Sequence, residues 1–294
     1  MWGVIMRKKT GFLGRIKIQL DKKLFLFNKL VYLGCGQNPT FKAYQEYKLE
    51  YIFRFISSGG LSFFENNELP CGHGYKIDER AVEYPWLMSR IKDDEYLVLD
   101  AGSALNFREI LTHAKFEGKK VYIDTLYSEG RPELELSPSY IYEDLRDMCF
   151  KDNLFDAIYS LSTLEHIGLD NTLYYTADNS YKENDKYSYL KAISEFWRVL
   201  KPGGMVYITV PFGAYKNHGW FQIFDRNMVD KMVEQFEPSS FEKTYYRYEN
   251  DQWCVSTEEG CADGDYFDAR SDRRMSDRFV AARCVSCVMM KKAA

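Results

Sequence analysis

The chain has no run of apolar residues close to the ~18 that a membrane-spanning helix needs, although 46% of its 294 residues are hydrophobic. No helical membrane span is therefore expected, and there is material for a sizeable core. A signal-peptide pattern is also missing, and the seven cysteines show no framework of the secreted type, so the expected location is a reducing cytoplasm. Charge of one sign is not in excess either. With 39 basic and 43 acidic residues the net charge is −4, and nothing favours a nucleic-acid polyanion as partner. There is no internal repeat and no low-complexity tract. Cys284-Val-Ser-Cys287 has C-x-x-C spacing, but it lies in a run that reads as a strand. Positions i and i+3 then face opposite ways, so neither a redox nor a zinc role is expected.

What is present is unevenly placed. Residues 1–30 hold eight Lys/Arg against one acid, interleaved with Phe12, Leu13, Ile16, Ile18, Leu20, Leu24, Phe25 and Phe27. Such a segment is either an arm packed on the core with its lysines solvated or a weak contact with an anionic membrane surface. Aromatics make up 16% of the chain, with 23 tyrosines, and cluster at 41–55, 174–189 and 241–253. They supply ordinary half-buried packing or the wall of a pocket for a sugar or another ring.

The chain divides at about residue 90. Residues 1–90 form an N-terminal extension, with helical spacing over Phe41 to Ile56 and a short helix over Val82 to Ile91 carrying Pro85 in its first turn. Leu30-Val-Tyr-Leu-Gly34-Cys-Gly36 imitates a glycine motif, but no second strand ending in an acid follows it, and a loop turn is expected there. From Glu95 onward strands and helices alternate. Strands read at about 96–100, 120–124, 139–143, 156–160 and 205–210, and helices at about 105–117, 187–200 and 225–236. This order predicts a parallel sheet with helices on both faces. Right-handed crossovers bring the carboxyl ends of the strands to one edge, and with them Asp100, Asp124, Asp144 and Ser160–His166. Phe241–Tyr248 and Val280–Met290 read as two further strands. Two irregular insertions interrupt residues 91–294, at about 166–186 and 250–278; long loops of this kind are often lids or binding loops.

Asp100-Ala101-Gly102-Ser103-Ala-Leu-Asn106, Asp124, Glu143-Asp144-Leu145, Phe155–His166 and Lys201-Pro-Gly-Gly204 form an ordered series that resembles the class I S-adenosylmethionine-dependent methyltransferases over about residues 95–250. The resemblance implies an α/β, Rossmann-like fold: a mostly parallel seven-stranded sheet with an antiparallel C-terminal hairpin. It implies S-adenosylmethionine as cofactor, held by Asp100, Ala101, Gly102, Ser103, Asp124, Asp144, Leu145 and Ser160. Asp124 would accept the ribose hydroxyls, and Asp144 with Leu145 would meet the adenine; the neighbouring acids leave that assignment open by one residue. Ala104 and Asn106 stand where the family pattern has glycines. The departure argues against a dinucleotide, whose pyrophosphate needs close backbone approach.

In the family the methyl donor is already activated, so the enzyme mainly aligns an acceptor. A hydroxyl acceptor must also lose a proton. His166 is the candidate base, unless it only ties the loop after strand four; Glu165 would orient it or bind substrate. Glu165, His166 and His218 could instead hold a divalent ion, but one position of that motif is Ser162, and no metal is assigned. The reading is an O-methyltransferase acting on a small-molecule or carbohydrate acceptor, a surface-polysaccharide precursor above all, a choice that the aromatic insertions and a general likeness to the methyltransferases of such biosynthesis favour. A quinone or other small-molecule methyltransferase, an NAD-dependent oxidoreductase and a non-catalytic binding module remain alternatives.

Overall fold

Alternate residues of the central strands pack into two different cores, and this alternation organises the molecule. The computed structural model describes residues 24, 26–37, 43–128, 134–173, 175–267 and 281–294. In the strand β1 (Leu97–Ala101), Val98 belongs to one cluster and Leu99 to the other, as the period of two requires. β2 (Lys120–Thr125), β3 (Ser139–Tyr142), β4 (Phe155–Leu161) and β5 (Leu200–Pro211) lie parallel to it.

On the first face lie three N-terminal helices, which we label α2 (Tyr44–Phe55), α3 (Leu61–Glu65) and α4 (Arg80–Arg90); helical residues 24 and 26–34 before them are α1. Ile52, Phe64, Trp86 and Leu87 share a core there with Tyr159 and Tyr207. The short α5 (Arg108–Leu111) follows β1. On the opposite face α6 (Tyr189–Val199) and α7 (Arg226–Phe236) bury Ile193, Phe196, Met228 and Met232 against Ile158, Val206 and Ile208. Between β5 and α7 comes a small antiparallel hairpin, β6 (Lys216–Asn217) with β7 (Gln222–Ile223). The sheet is completed by β8 (Ser240–Glu249), β9 (Gln252–Ser256) and, after a second hairpin of β10 (Tyr266–Phe267) and β11 (Ala281–Ala282), by β12 (Cys284–Lys291). Its order is β3-β2-β1-β4-β5-β12-β8-β9, with β12 antiparallel to both neighbours.

This is the Rossmann-like methyltransferase fold, and the seven expected strands carry an eighth on the edge. β9 comes from the 250–278 segment; residues 268–280 lie outside the described residues, as do residues 1–23 of the basic N-terminal segment. The helix expected at 105–117 is only one turn, followed by a 3₁₀ turn at Ala114–Phe116. The glycine-rich decoy at Leu30–Gly36 is the end of α1 and a turn.

Pro85 is the sixth residue of α4, not in its first turn, and cannot bond the carbonyl of Ala81. The ring of His73 makes that bond instead, its Nε2–H donating to the Ala81 oxygen at 2.8 Å. Its Nδ1 then accepts from the Tyr51 hydroxyl at 3.2 Å. Burial holds His73 well below the ordinary histidine range, at about 4. His73→Leu is expected to cost about 1–3 kcal/mol in urea denaturation, because the Ala81 carbonyl is left buried and unpaired. Pro85→Ala in that background should return part of the loss, since the substituted residue regains an N–H. The unfolded histidine titrates near 6.5 and the folded one near 4, so the wild type should lose stability as pH falls between those values, and His73→Leu should lose less.

Candidate active site

The carboxyl ends of all five parallel strands open on one cavity of about 610 Å³. Gly102 and Ser103 follow β1, Thr125 ends β2, Glu143, Asp144 and Leu145 follow β3, Leu161 and Ser162 close β4, and Pro211 ends β5. This strand-end edge is where open α/β sheets bind ligands.

The loop after β1 is shaped by two close contacts. The buried carboxylate of Asp100 accepts the Ala104 and Leu105 N–H groups at 3.1 and 2.8 Å, which folds the chain back on itself. Gly102 has φ +117°, and a Cβ there would lie 2.0 Å from Oγ1 of Thr163; only glycine satisfies both conditions. Ser103 follows at φ +64°. Asp100 thus braces the loop, and neither it nor Ala101 is among the cavity-lining residues. Ser160 is buried within β4, its hydroxyl without a partner, and does not line the cavity either.

Asp124 is fully buried, and neither carboxylate oxygen has a hydrogen-bonding partner. Burial first, and the neighbouring Glu143 carboxylate second, push it up to about 8. It stands behind the lining, which Thr125 and Glu143 form at this point. A buried carboxyl without partners is a site for hydroxyl groups. Asp144 and Leu145 do line the cavity, but Asp144 is engaged by Arg146 in a two-pronged pair, with Nε–Oδ1 3.0 Å and Nη2–Oδ2 2.7 Å. Arg146 continues to Glu183 and Ser188, tying the 166–186 segment to the loop after β3.

His166 lines the cavity from a 3₁₀ turn (Leu164–His166). Its Nδ1 lies 2.9 Å from the carbonyl oxygen of Trp220. A carbonyl only accepts, so Nδ1 carries the proton and Nε2 keeps its lone pair, 3.5 Å from the Tyr175 hydroxyl. The ring is stacked on Trp220, with centroids 5.0 Å apart. Burial, with the nearby Arg80 charge, lowers His166 to about 4. Glu165 also lines the cavity; it is buried, its Oε2 has no partner, and burial and then the Glu83 carboxylate raise its pKa. His218 does not join them: its ring stacks on Phe221 at 4.3 Å, outside the lining. Among the described residues no group of three or more His, Cys, Asp or Glu side chains is placed to hold a metal ion.

One wall was not signalled by any motif. Gln45, Lys48 and Leu49 of α2, with Glu79, Arg80 and Tyr84 at the start of α4, face the strand ends. Arg80 is held by Glu83, Nη1–Oε2 2.8 Å. Glu83, with no exposure, also accepts from the hydroxyls of Ser162 at 2.5 Å and Thr209 at 2.6 Å. Lys48 pairs with Asp78 at 2.6 Å. Glu79 is raised to about 8 by burial and then by Asp78 and Glu83. In sequence, Arg80 and Glu83 read as an ordinary surface pair at i and i+3.

Residues 122–208 match a family model described as a methyltransferase domain. A search among curated proteins returns no match. Among solved structures, the chain is similar to an S-adenosylmethionine-dependent methyltransferase of Thermotoga maritima, at 10% identity over 83% of this chain and 99% of that one, TM-score 0.45. It is also similar to the 1,6-didemethyltoxoflavin-N1-methyltransferase of Burkholderia thailandensis with S-adenosylhomocysteine bound, at 13% identity, 84% and 91% coverage and TM-score 0.42. A third is a phosphoethanolamine N-methyltransferase of Haemonchus contortus, also with S-adenosylhomocysteine, at 14% identity over 68% of this chain and half of that one, TM-score 0.44.

The raised Asp124 has a stability consequence. The unfolded carboxyl ionises above about 3.9, while the folded one stays protonated up to about 8, so this group's contribution falls as pH rises between those values. Asp124→Asn is therefore expected to raise unfolding free energy at pH 7 by about 1–3 kcal/mol. Thermal melts should show the two proteins converging towards pH 4.

Proposed function

We infer that this chain, a class I S-adenosylmethionine-dependent methyltransferase by its fold, its domain match and the order of its strand-end residues, methylates an oxygen of a small-molecule acceptor, with His166 taking the acceptor's proton. One observation carries the reading: the Nδ1–Trp220 carbonyl bond leaves a neutral, oriented Nε2 at a cavity wall. A hydroxyl in hydrogen-bond reach of that nitrogen could pass it a proton.

The residues present fit the donor. The Asp124 oxygens, orphaned and buried, with Glu143 beside them, would take the ribose hydroxyls. The loop Gly102–Ala104, bare of side chain at Gly102, would lie along the methionine part, whose carboxylate backbone N–H groups can meet. Bound there, S-adenosylmethionine supplies an activated methyl group on a sulfonium. The chain's own part is to seat the acceptor, exclude water and hold the base.

For the acceptor we favour a sugar ring, as in a surface-polysaccharide precursor. Trp220, Phe221, Tyr175, Tyr181 and Tyr266 line the cavity, and flat aromatic faces suit the apolar side of such a ring. Glu165 and Glu79, both raised by burial, present carboxyl groups that donate as well as accept, which suits the ring's hydroxyls.

Calorimetry separates donor classes: S-adenosylhomocysteine should bind and NAD should not, and the reverse would sink the reading. In the folded Asp124→Ala variant, S-adenosylhomocysteine affinity should weaken by about 2–3 kcal/mol, as a buried carboxyl that would meet two hydroxyls is lost.

With the acceptor found by a metabolite screen, His166→Ala should keep S-adenosylhomocysteine affinity and lose turnover by about 10²–10⁴-fold. Wild-type turnover should fall only as pH drops through about 4, where the histidine takes up a proton. A folded His166→Ala protein with near-normal turnover would remove the base.

A further inference from the structure

Among the described residues, the helix α1 is fastened to the body by one side. Tyr32 is fully buried and packs on Tyr47 and Tyr44, with ring centroids 5.1 and 6.2 Å away. Lys29 reaches Glu50 at 2.5 Å. At 100° per residue the other face carries Leu26, Phe27, Leu30 and Leu33 within about a third of the circumference. These are 56, 63, 61 and 38% exposed. Four large apolar side chains in one stripe at the surface mark a contact face.

The neighbouring sequence says what that face meets. Arg7, Lys8, Lys9, Arg15, Lys17, Lys22 and Lys23 precede it against the single acid Asp21, in a chain whose net charge is −4. We propose that the stripe Leu26, Phe27, Leu30 and Leu33 docks the protein on an anionic phospholipid surface; the basic sequence of residues 7–23, which lies outside the described residues, selects that occupant. An apolar helix face seats in the headgroup boundary while lysines and arginines meet the lipid phosphates. A stripe kept for a second copy of the chain would bury its apolar residues with no need of a one-signed run beside it. The charge asymmetry therefore selects the lipid. The helix lies against α2, which lines the cavity with Gln45, Lys48 and Leu49, so docking would bring the acceptor wall near the membrane. The proposal stands apart from the identity of the methyl acceptor.

The test uses the full chain with vesicles of phosphatidylcholine alone and of phosphatidylcholine mixed with phosphatidylglycerol, read by cosedimentation. Binding is expected to the mixed vesicles only, with release by salt. Phe27→Ser/Leu30→Ser should weaken partitioning by about tenfold or more, and Lys22→Glu/Lys23→Glu by a similar factor. Both should leave the thermal melt and S-adenosylhomocysteine affinity unchanged, because the substituted apolar side chains are exposed.

Failure of the wild type to bind the mixed vesicles, or unchanged binding by Phe27→Ser/Leu30→Ser, overturns the proposal. So does a dimer in sedimentation velocity that this variant dissolves without any vesicle binding. A lowered melt for the variant, again without vesicle binding, would mean that the chain's own residues cover the face, and overturns it too.

Discussion

A single buried carboxylate, that of Glu83, joins the N-terminal helices to the strand ends around the cavity. Its oxygens take hydrogen bonds from Arg80 in its own helix, from Ser162 in the turn after β4 and from Thr209 in β5. A buried charge tolerates no missing partner, since removing one leaves the rest uncompensated. The three elements are therefore placed together. Ser162 sits at φ +45°, a left-handed turn that a side chain seldom adopts unless its surroundings hold it. The next residue, Thr163, fills the space against which Gly102 must stay bare. One contact set thus runs from α4 through the end of β4 to the loop after β1.

Around that anchor the cavity pairs its cations with carboxylates and holds three of its buried acids above their ordinary range. Arg80 pairs with Glu83 and Lys48 with Asp78, while Arg146 answers both Asp144 and Glu183. Asp124 and Glu79 are raised to about 8, Glu165 is raised as well, and His166 is lowered. Burial leads every one of these shifts, because it penalises whichever form carries charge. The raised acids and the lowered histidine thus favour their neutral forms, which present hydrogen-bond donors and acceptors to the cavity. Such walls hold hydroxyl-rich neutral groups at a smaller desolvation cost than ionic ones.

The parts legible in the sequence share one property: local pattern decides them. β1, β2, β4 and α7 fall within a residue or two of the expected positions, because apolar period and strand-end residues set them. Asp124 could be singled out because it ends a strand at the right interval. Asp100 and Ser160 show where local reading stops: both lie on the correct strands, but which way a side chain points depends on the pleat and the packing. The wall from α2 and α4 was invisible, since nothing in Arg80-Ala-Val-Glu83 announces that the glutamate will be buried by strands about 80 and 126 residues away. Pro85 likewise reads as a residue of a helix's first turn; it sits inside the helix, and His73, twelve residues earlier, supplies the donor it lacks. The edge strand β9 lay hidden in a segment whose Asp, Gly and Arg content reads as loop.

The two halves of the chemistry come from different parts of the chain. The donor side is built from residues 100–145, on strands whose register the sheet fixes. The acceptor side is built from pieces outside the sheet: the N-terminal helices, the 166–186 segment, the β6–β7 hairpin and the β10–β11 hairpin. Loops of this kind can change without disturbing the sheet. In the proposed function, the base is where the halves meet. His166 is placed by the end of β4, but its tautomer and orientation come from the Trp220 carbonyl, and Trp220 is also part of the aromatic wall. A change in the β6–β7 hairpin that altered which ring fits the wall would also move the group that orients the base. The proposed function would therefore couple acceptor selection and proton removal through one residue, and leave the donor pocket outside that coupling.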